Sequence, residues 1–212
     1  MPVDSTLPAT LDDARTRILD EARTRFFAQG YRAFTMADLA TELGMSKKTL
    51  YVHFRSKHAI IRAVIDGFSA EIRADAEAVL RNPRLTFAEK LRGFAQGMIE
   101  RLSRCNHAVM RDLQRFAPDL HRHIEQMRSR NIPYIFGRFI AEGQLSGAVR
   151  DDLNPVFAVE FLLHAIQGMM QPAVLQRLRL HPPDVFENSL KLFFSGLLTP
   201  AGRKEYEKLF PR

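Results

Sequence analysis

The sequence predicts an all-α protein, with a small N-terminal unit of three short helices and a larger C-terminal helical bundle. Three observations predict it. Apolar residues recur at three- and four-residue spacing along nearly the whole chain, the period of a helix with one buried face. Ser, Thr and Asn stand immediately before many of those runs, where their side chains cap free backbone N–H groups. No run alternates apolar and polar residues as a half-buried strand would.

The elements follow in order. Thr10 with Asp13 forms a capping box for a first helix over about 11–29. In it Ala14, Ile18, Ala22 and Phe26 make one stripe, and Gly30 is the stop. Thr35 with Asp38 opens a second helix that Gly44 ends two turns later. Ser46 caps a third over 47–54. Ser56 caps a long fourth to about Leu80, closed by Asn82-Pro83. Thr86 with Glu89 opens a helix to about Arg104, and another spans 108–116. Pro118 starts the next as its first residue. It runs to about Glu142, with an expected kink at Pro133. Residues 143–153 read as a loop. Asn154-Pro155 begins a helix to about Gln171, and Pro182-Pro183-Asp184 begins a last one to about Leu197. Pro200-Ala201-Gly202 breaks that helix before a charged tail.

Composition narrows the function. The 212 residues are 46% hydrophobic and 26% charged, the balance of a soluble chain with a real core. The net charge of +7 favours a polyanionic partner, either nucleic acid or an anionic membrane. A single cysteine, Cys105, excludes an internal disulfide and a CxxC metal or redox motif. No signal peptide is read at the N-terminus. The most apolar stretch, 156–170, is interrupted by Glu160, His164 and Gln167 and falls short of the ~20 apolar residues of a membrane span. The expectation is a cytoplasmic protein without a membrane partner. No GxSxG, P-loop or HExxH is present, so neither an enzyme nor a cofactor is expected. His121, His123 and Glu125 stand close together, but a spacing of two turns neighbours to different faces of a helix. No metal site is expected there.

The informative segment is 35–54, TMADLATELGMSKKTLYVHF. Two short helices joined by a tight Gly turn are a helix-turn-helix. Leu39, Leu43 and Met45 would pack on Leu50 and Phe54, with small Ala40 where the helices meet. At ~100° per residue, Lys48 and Val52 then point outward from the third helix, with Thr49 and Tyr51 on the flanks. A cation and apolar groups suit guanine and the thymine methyl in a major groove. Lys47 lies at the helix start, near the positive end of its dipole, where a phosphate would be held. Between Leu43 and Ile65 there is no Asp or Glu, while Lys47, Lys48, Arg55, Lys57 and Arg62 fall in that window.

This segment resembles the N-terminal domain of the TetR family of bacterial repressors. The matching features are Thr35, the pair Leu39-Ala40, Gly44, Ser46, Leu50-Tyr51, His53-Phe54 and Lys57, preceded by Phe26-Phe27 and Gly30-Tyr31. The close match covers about 11–68. The resemblance implies that Tyr51, His53, Lys57 and the helix start at Thr35 hold phosphates, and that Lys47, Lys48, Thr49 and Val52 face bases; Ser46 completes the expected DNA-binding residues. Many members carry Gly where Lys48 stands, so the operator is not transferable. The resemblance also implies that the last two long helices, 154–171 and 184–197, pair with their copies across a twofold axis.

The expected organisation is a flexible N-terminus (1–10), a DNA-binding domain (11–56), a connecting helix (57–81), an effector-binding and dimerisation domain (82–199) and a C-terminal tail (200–212). The expected function is a homodimeric repressor, released from a near-palindromic double-stranded operator by a small, largely apolar effector. The rival is a helical-bundle enzyme or carrier with an incidental basic patch. Candidate pocket residues are Phe94, Met98, Met110, Phe136, Glu160 and His164. For the methionines and phenylalanines, ordinary core filling competes with a pocket role. For Glu160 and His164 the competing reading is a locally paired buried histidine. Candidate dimer residues are Phe161, Phe186, Leu190, Phe193 and Phe194, on helices with more apolar surface than one core-facing stripe requires.

Overall fold

The computed structural model describes residues 11–106 and 108–209; the expected cap at Thr10 and the segments 1–10 and 210–212 lie outside the described residues. Eleven helices follow one another: α1 (Leu11–Ala33), α2 (Met36–Glu42), α3 (Lys47–His53), α4 (Lys57–Leu80), α5 (Phe87–Ser103), α6 (Ala108–Phe116), α7 (Pro118–Leu145), α8 (Pro155–Met169), α9 (Pro172–Leu178), α10 (Pro182–Leu197) and α11 (Pro200–Leu209). The one β-type pairing among the described residues is an isolated bridge between Val149 and Leu198.

Local chemistry accounts for most helix ends. Thr35, Ser46 and Ser56 each accept the backbone N–H three residues on, at Asp38, Thr49 and Ala59, satisfying donors that helix geometry leaves free. Thr86 and Glu89 form a complete reciprocal capping box. Asn154 accepts from Val156 and Phe157. Gly30 breaks α1 with φ +84 and ψ 178, and one further turn reaches Ala33. Gly44, at φ +63, forms the turn between α2 and α3. Helix α7 continues through Pro133 to Leu145, three residues beyond its expected end.

Two stretches differ from expectation. Helix α9 has no counterpart in the sequence reading, and 200–209, expected as part of a charged tail, form α11. Both open on a proline, which the first turn of a helix accepts because its N–H is free there anyway. Along the sequence, Pro172 and Pro200 mark only where the preceding helix ends. Helix α11 is held by tertiary contact: Tyr206 and Gly202 are buried, and Thr199 N donates to Ala148 O at 3.0 Å.

The apolar residues form two cores. One joins α1–α4 to α6 and the start of α7 through Phe26, Phe34, Leu39, Leu50, Ile61 and Leu113. The other joins α5, α7, α8 and α10 around Phe94, Phe136, Phe139 and Phe194. Helix α4 spans both: its first half supplies Ile60, Ile61, Val64 and Ile65 to the first, and Ala76 to the second. Arg23 of α1 grips Glu71 of α4 through two hydrogen bonds of 2.5 and 2.8 Å. Lys90 is buried and donates to Leu80 O at 2.9 Å and Glu142 Oε1 at 2.5 Å, pinning the end of α4 to α5 and α7.

Candidate DNA interface and buried cavity

Helices α2 and α3 pack through Leu39, Ala40, Leu50 and Phe54, all buried. That packing turns the other side of α3 outward. Lys47, Lys48, Thr49 and Tyr51 are exposed, and Val52 is 71% exposed. An aliphatic side chain held that far into solvent has no role in the core of this chain. The hydroxyls of Ser46 and Thr49 lie 2.9 Å apart, so Thr49 also helps cap the helix that carries it. Thr35 donates to Asp38 Oδ2 at 2.6 Å at the start of α2.

The basic window divides in two. Lys47, Lys48, Arg55 and Arg62 remain exposed. Lys57 Nζ instead stands 4.2 Å from the centre of the Tyr31 ring, and burial lowers its pKa. His58 pairs with Asp119 of α7 at 2.6 Å. His53 is half-buried, and its carbonyl accepts from Arg15 Nη1 at 3.3 Å. The Arg15 guanidinium also lies 4.3 Å from the Phe54 ring. Sequence reading missed this brace, because Arg15 stands 38 residues away on another helix.

Between the two cores lies a cavity of about 160 Å³. Phe26 and Phe27 of α1 and Phe68 of α4 line one side, with Phe27 5.2 Å from both other rings. Phe94, Phe136 and Phe186 line the other. Arg128 of α7 and Cys105 also face it. Burial pushes the Cys105 thiol up to about 11 and the Arg128 guanidinium down to about 10. Next to the cavity, the loop before α6 grips the end of α1. Asn106 N donates to Phe27 O at 2.7 Å and Asn106 Nδ2 to Ala28 O at 3.1 Å. Asp112 then accepts from Arg32 N at 3.1 Å.

Of the expected pocket residues, Phe94, Met98, Met110 and Phe136 line this cavity. Glu160 and His164 do not. They sit on the exposed side of α8, 3.7 Å from one another, with side chains 51% and 75% exposed. Spacing of four does place them on one face, but Val159, Leu162, Leu163 and Ile166 form the buried one. The buried-histidine reading of His164 fails for the same reason.

The expected dimer residues also need correction. Phe161 is 60% exposed, whereas Phe186, Leu190, Phe193 and Phe194 are core residues of the same protomer. Phe194 packs against Phe87, Phe136 and Phe193, and Phe186 against Phe94. Helix α10 is flanked by both α5 and α8, so its own chain covers more of its circumference than a single stripe. The apolar side chains left uncovered are Val156, Phe157 and Phe161 on α8 and Leu192 on α10.

His121, His123 and Glu125 do not converge. His121 shares a face with Glu125 at 3.8 Å, while His123 turns to Asp66 at 2.6 Å. No cluster of three or more metal-ligating side chains occurs among the described residues, and no described helix is long and apolar enough to cross a membrane.

Comparison with known proteins agrees with the geometry of α1–α4. Residues 18–64 match the family described as bacterial regulatory proteins, tetR family. The uncharacterized HTH-type transcriptional regulator YvaF of Bacillus subtilis is 24% identical over 181 residues, 85% of this chain and 94% of that protein. The HTH-type transcriptional repressor DhaR of Mycobacterium sp. is 25% identical over 191 residues, 87% of this chain and 92% of its own. Among solved structures, reduced E. coli NemR superposes with TM-score 0.69 at 16% identity, over 89% of this chain and 99% of that one. SmeT, the repressor of a Stenotrophomonas maltophilia multidrug efflux pump, superposes in its triclosan complex with TM-score 0.66 at 18% identity, over 89% and 93%. With an outward-facing α3 held on a short turn of glycine and serine, and with this match over the same helices, residues 18–64 carry the DNA-binding domain of the tetR family of bacterial regulatory proteins, and the protein is a DNA-binding transcription regulator.

Proposed function

We propose that the protein is a homodimeric repressor that leaves its operator when a small, largely apolar molecule enters the cavity between the two cores. The observation that carries this reading is the shared lining of that cavity: Phe26 and Phe27 belong to the helix that supports the DNA-reading unit, while Phe94 and Phe136 belong to the C-terminal bundle. A ligand there touches both. Residues 11–56 are the reading unit, 57–81 the connecting helix and 82–199 the effector and dimerisation unit.

In this reading Lys47, Lys48, Thr49 and Val52 face bases, and Thr35, Ser46, Tyr51 and His53 lie at the phosphates. Lys57 also lies at the phosphates after leaving Tyr31. A twofold dimer presents two copies of α3, so the operator is a near-palindrome. The dimer face is the uncovered patch of Val156, Phe157, Phe161 and Leu192, an exposed apolar surface of the kind that marks an interface. The repressor sense is supported by the likeness to DhaR, a transcriptional repressor, and an effector by the triclosan complex of SmeT.

Release requires that the effector prefer the conformation that cannot bind DNA. Two elements join the cavity to the reading unit. One is α4, lined at Ile65, Phe68, Ser69 and Ile72. The other is Asn106, which lines the cavity and holds the Phe27 and Ala28 carbonyls. The test is to select bound fragments from random DNA with the purified protein, then titrate cavity ligands against the selected operator. Operator and ligand must weaken one another by the same factor. A ligand bound in the cavity with equal affinity with and without operator overturns the coupling.

A further inference from the structure

We infer that the cavity takes a small monoanionic amphipath, a carboxylate on an apolar body about the size of one ring, with the acid group paired to Arg128. The inference rests on the effector reading above and names the chemistry of that same site.

The argument begins with the polar groups that line the cavity: Ser69, Cys105, Asn106, Arg128 and Asn131. Four of them are already engaged within the protein. Asn131 Nδ2 donates to Ser69 Oγ at 2.7 Å. Asn106 donates its amide to Ala28 O and accepts from Ala108 N at 2.8 Å. Cys105 Sγ donates to Arg101 O at 3.5 Å. Arg128 has no hydrogen bond and no ion pair with any described residue, and it is the only charged residue in the described lining.

An arginine in that position is costly. The guanidinium carries five N–H donors and a charge that does not leave at neutral pH. Arg128 is partly exposed as a whole residue, yet its guanidinium lines the cavity, and a charge drawn out of water without a partner is unfavourable. The lowered Arg128 pKa, caused first by burial, reports the same desolvation. The nearest acid along α7 is Glu125, one turn earlier, which raises the Arg128 pKa only through space. Glu125 Oε1 accepts from Gln171 Nε2 at 3.1 Å instead. The remaining walls are Phe, Ile, Leu, Met, Val and Pro, which supply no counter-charge.

Ligand chemistry follows. A carboxylate accepts two parallel N–H bonds from guanidinium, the strong charge-assisted arrangement. The apolar walls require the rest of the molecule to be hydrocarbon. A cation is repelled by Arg128, and a many-hydroxyl molecule would leave most of its hydroxyls against hydrocarbon. Size is set by the volume: a dry cavity of about 150 Å³ accepts benzene, close to the 160 Å³ found here.

The experiment uses matched pairs that differ only in charge: benzoate with benzamide, phenylacetate with phenylacetamide, and hexanoate with hexanamide. Binding to the full-length protein is measured by calorimetry, and operator release by fluorescence anisotropy. Each anion is expected to bind on the order of 10- to 100-fold more tightly than its amide, the range of a hydrogen bond to a charged group. Arg128→Met keeps the length of the side chain and removes the charge. It should abolish that preference while leaving amide binding in place or tighter, and should raise the ligand-free melting temperature. Arg128→Lys, a point charge without the fork, should retain part of the preference. Amides binding as well as acids, an unchanged preference in Arg128→Met, or no anion binding at millimolar concentration overturns the anion site. An anion that binds through Arg128 but leaves operator affinity unchanged overturns the effector reading instead, and the anion site stands.

Discussion

The uncovered patch on α8 and α10 gives a prediction that separates an interface residue from a core residue of similar chemistry. Phe161→Asp and Phe193→Asp make the same substitution on the two helices expected to pair. Phe161 is 60% exposed in the protomer, whereas Phe193 is 7% exposed with its ring 5.2 Å from that of Phe194. Fully burying a Phe side chain contributes about 1.5–3 kcal/mol. With 60% of Phe161 left to bury, its two copies contribute roughly 2–4 kcal/mol to dimerisation. Losing them weakens the dimer roughly 30- to 1000-fold, and burying two unpaired carboxylates weakens it further. Phe161→Asp is therefore expected to be a folded monomer with a nearly full helical signal and weak operator binding. Phe193→Asp loses a core ring, which alone costs ~3–5 kcal/mol, and places a charge in its space; it should melt far below wild type. Sedimentation velocity gives the association state and circular dichroism the melting curve. A Phe161→Asp protein that remains dimeric at low micromolar concentration would refute the assigned face, as would a Phe193→Asp monomer of normal stability.

Three further outcomes are expected. Lys48→Ala should relax preference at particular base positions by about 1–3 kcal/mol, whereas Lys57→Ala should weaken all DNA sequences together and lower the salt slope by about one; equal losses for both on operator and random DNA would remove the distinction. Gly30→Ala meets both a backbone at φ +84, ψ 178 and an Asp112 oxygen 2.8 Å from the new Cβ, so urea melting should show a loss of about 1–3 kcal/mol, and an unchanged midpoint would contradict that geometry. Cys105, an acid whose pKa burial raises to about 11, stays protonated at neutral pH. Its alkylation by iodoacetamide should be on the order of 100-fold slower at pH 7 than that of a free thiol and should rise with pH through that value; a free-thiol rate would show the side chain to be accessible.

Much of this protein is legible along the chain. Helix starts are local events: Thr35, Ser46, Ser56, Thr86 and Asn154 each bond to a backbone N–H within three residues, so the sequence by itself placed α2–α5 and α8 close to their observed limits. The outward face of α3 was equally readable, because Leu50 and Phe54 commit one side to the core and the helical period assigns the other. Tertiary structure decided what lies at a distance. Phe161 and Phe193 look alike in sequence, and only the packing of α10 between α5 and α8 makes one surface and the other core. Glu160 and His164 share a face in either reading, yet the direction of that face depends on where α8 docks. Pro172 and Pro200 stand where a helix ends, and it is burial of Leu175 and Tyr206 that makes helices of the segments 172–178 and 200–209. Arg128 was invisible as a site for the same reason. One arginine among several on a long helix is ordinary in sequence, and it becomes a recognition group only where the surrounding helices place an apolar cavity beside it and leave it without a partner among the described residues. Capping and periodicity act within one or two turns, whereas burial is a property of the assembled helices, which no local segment carries.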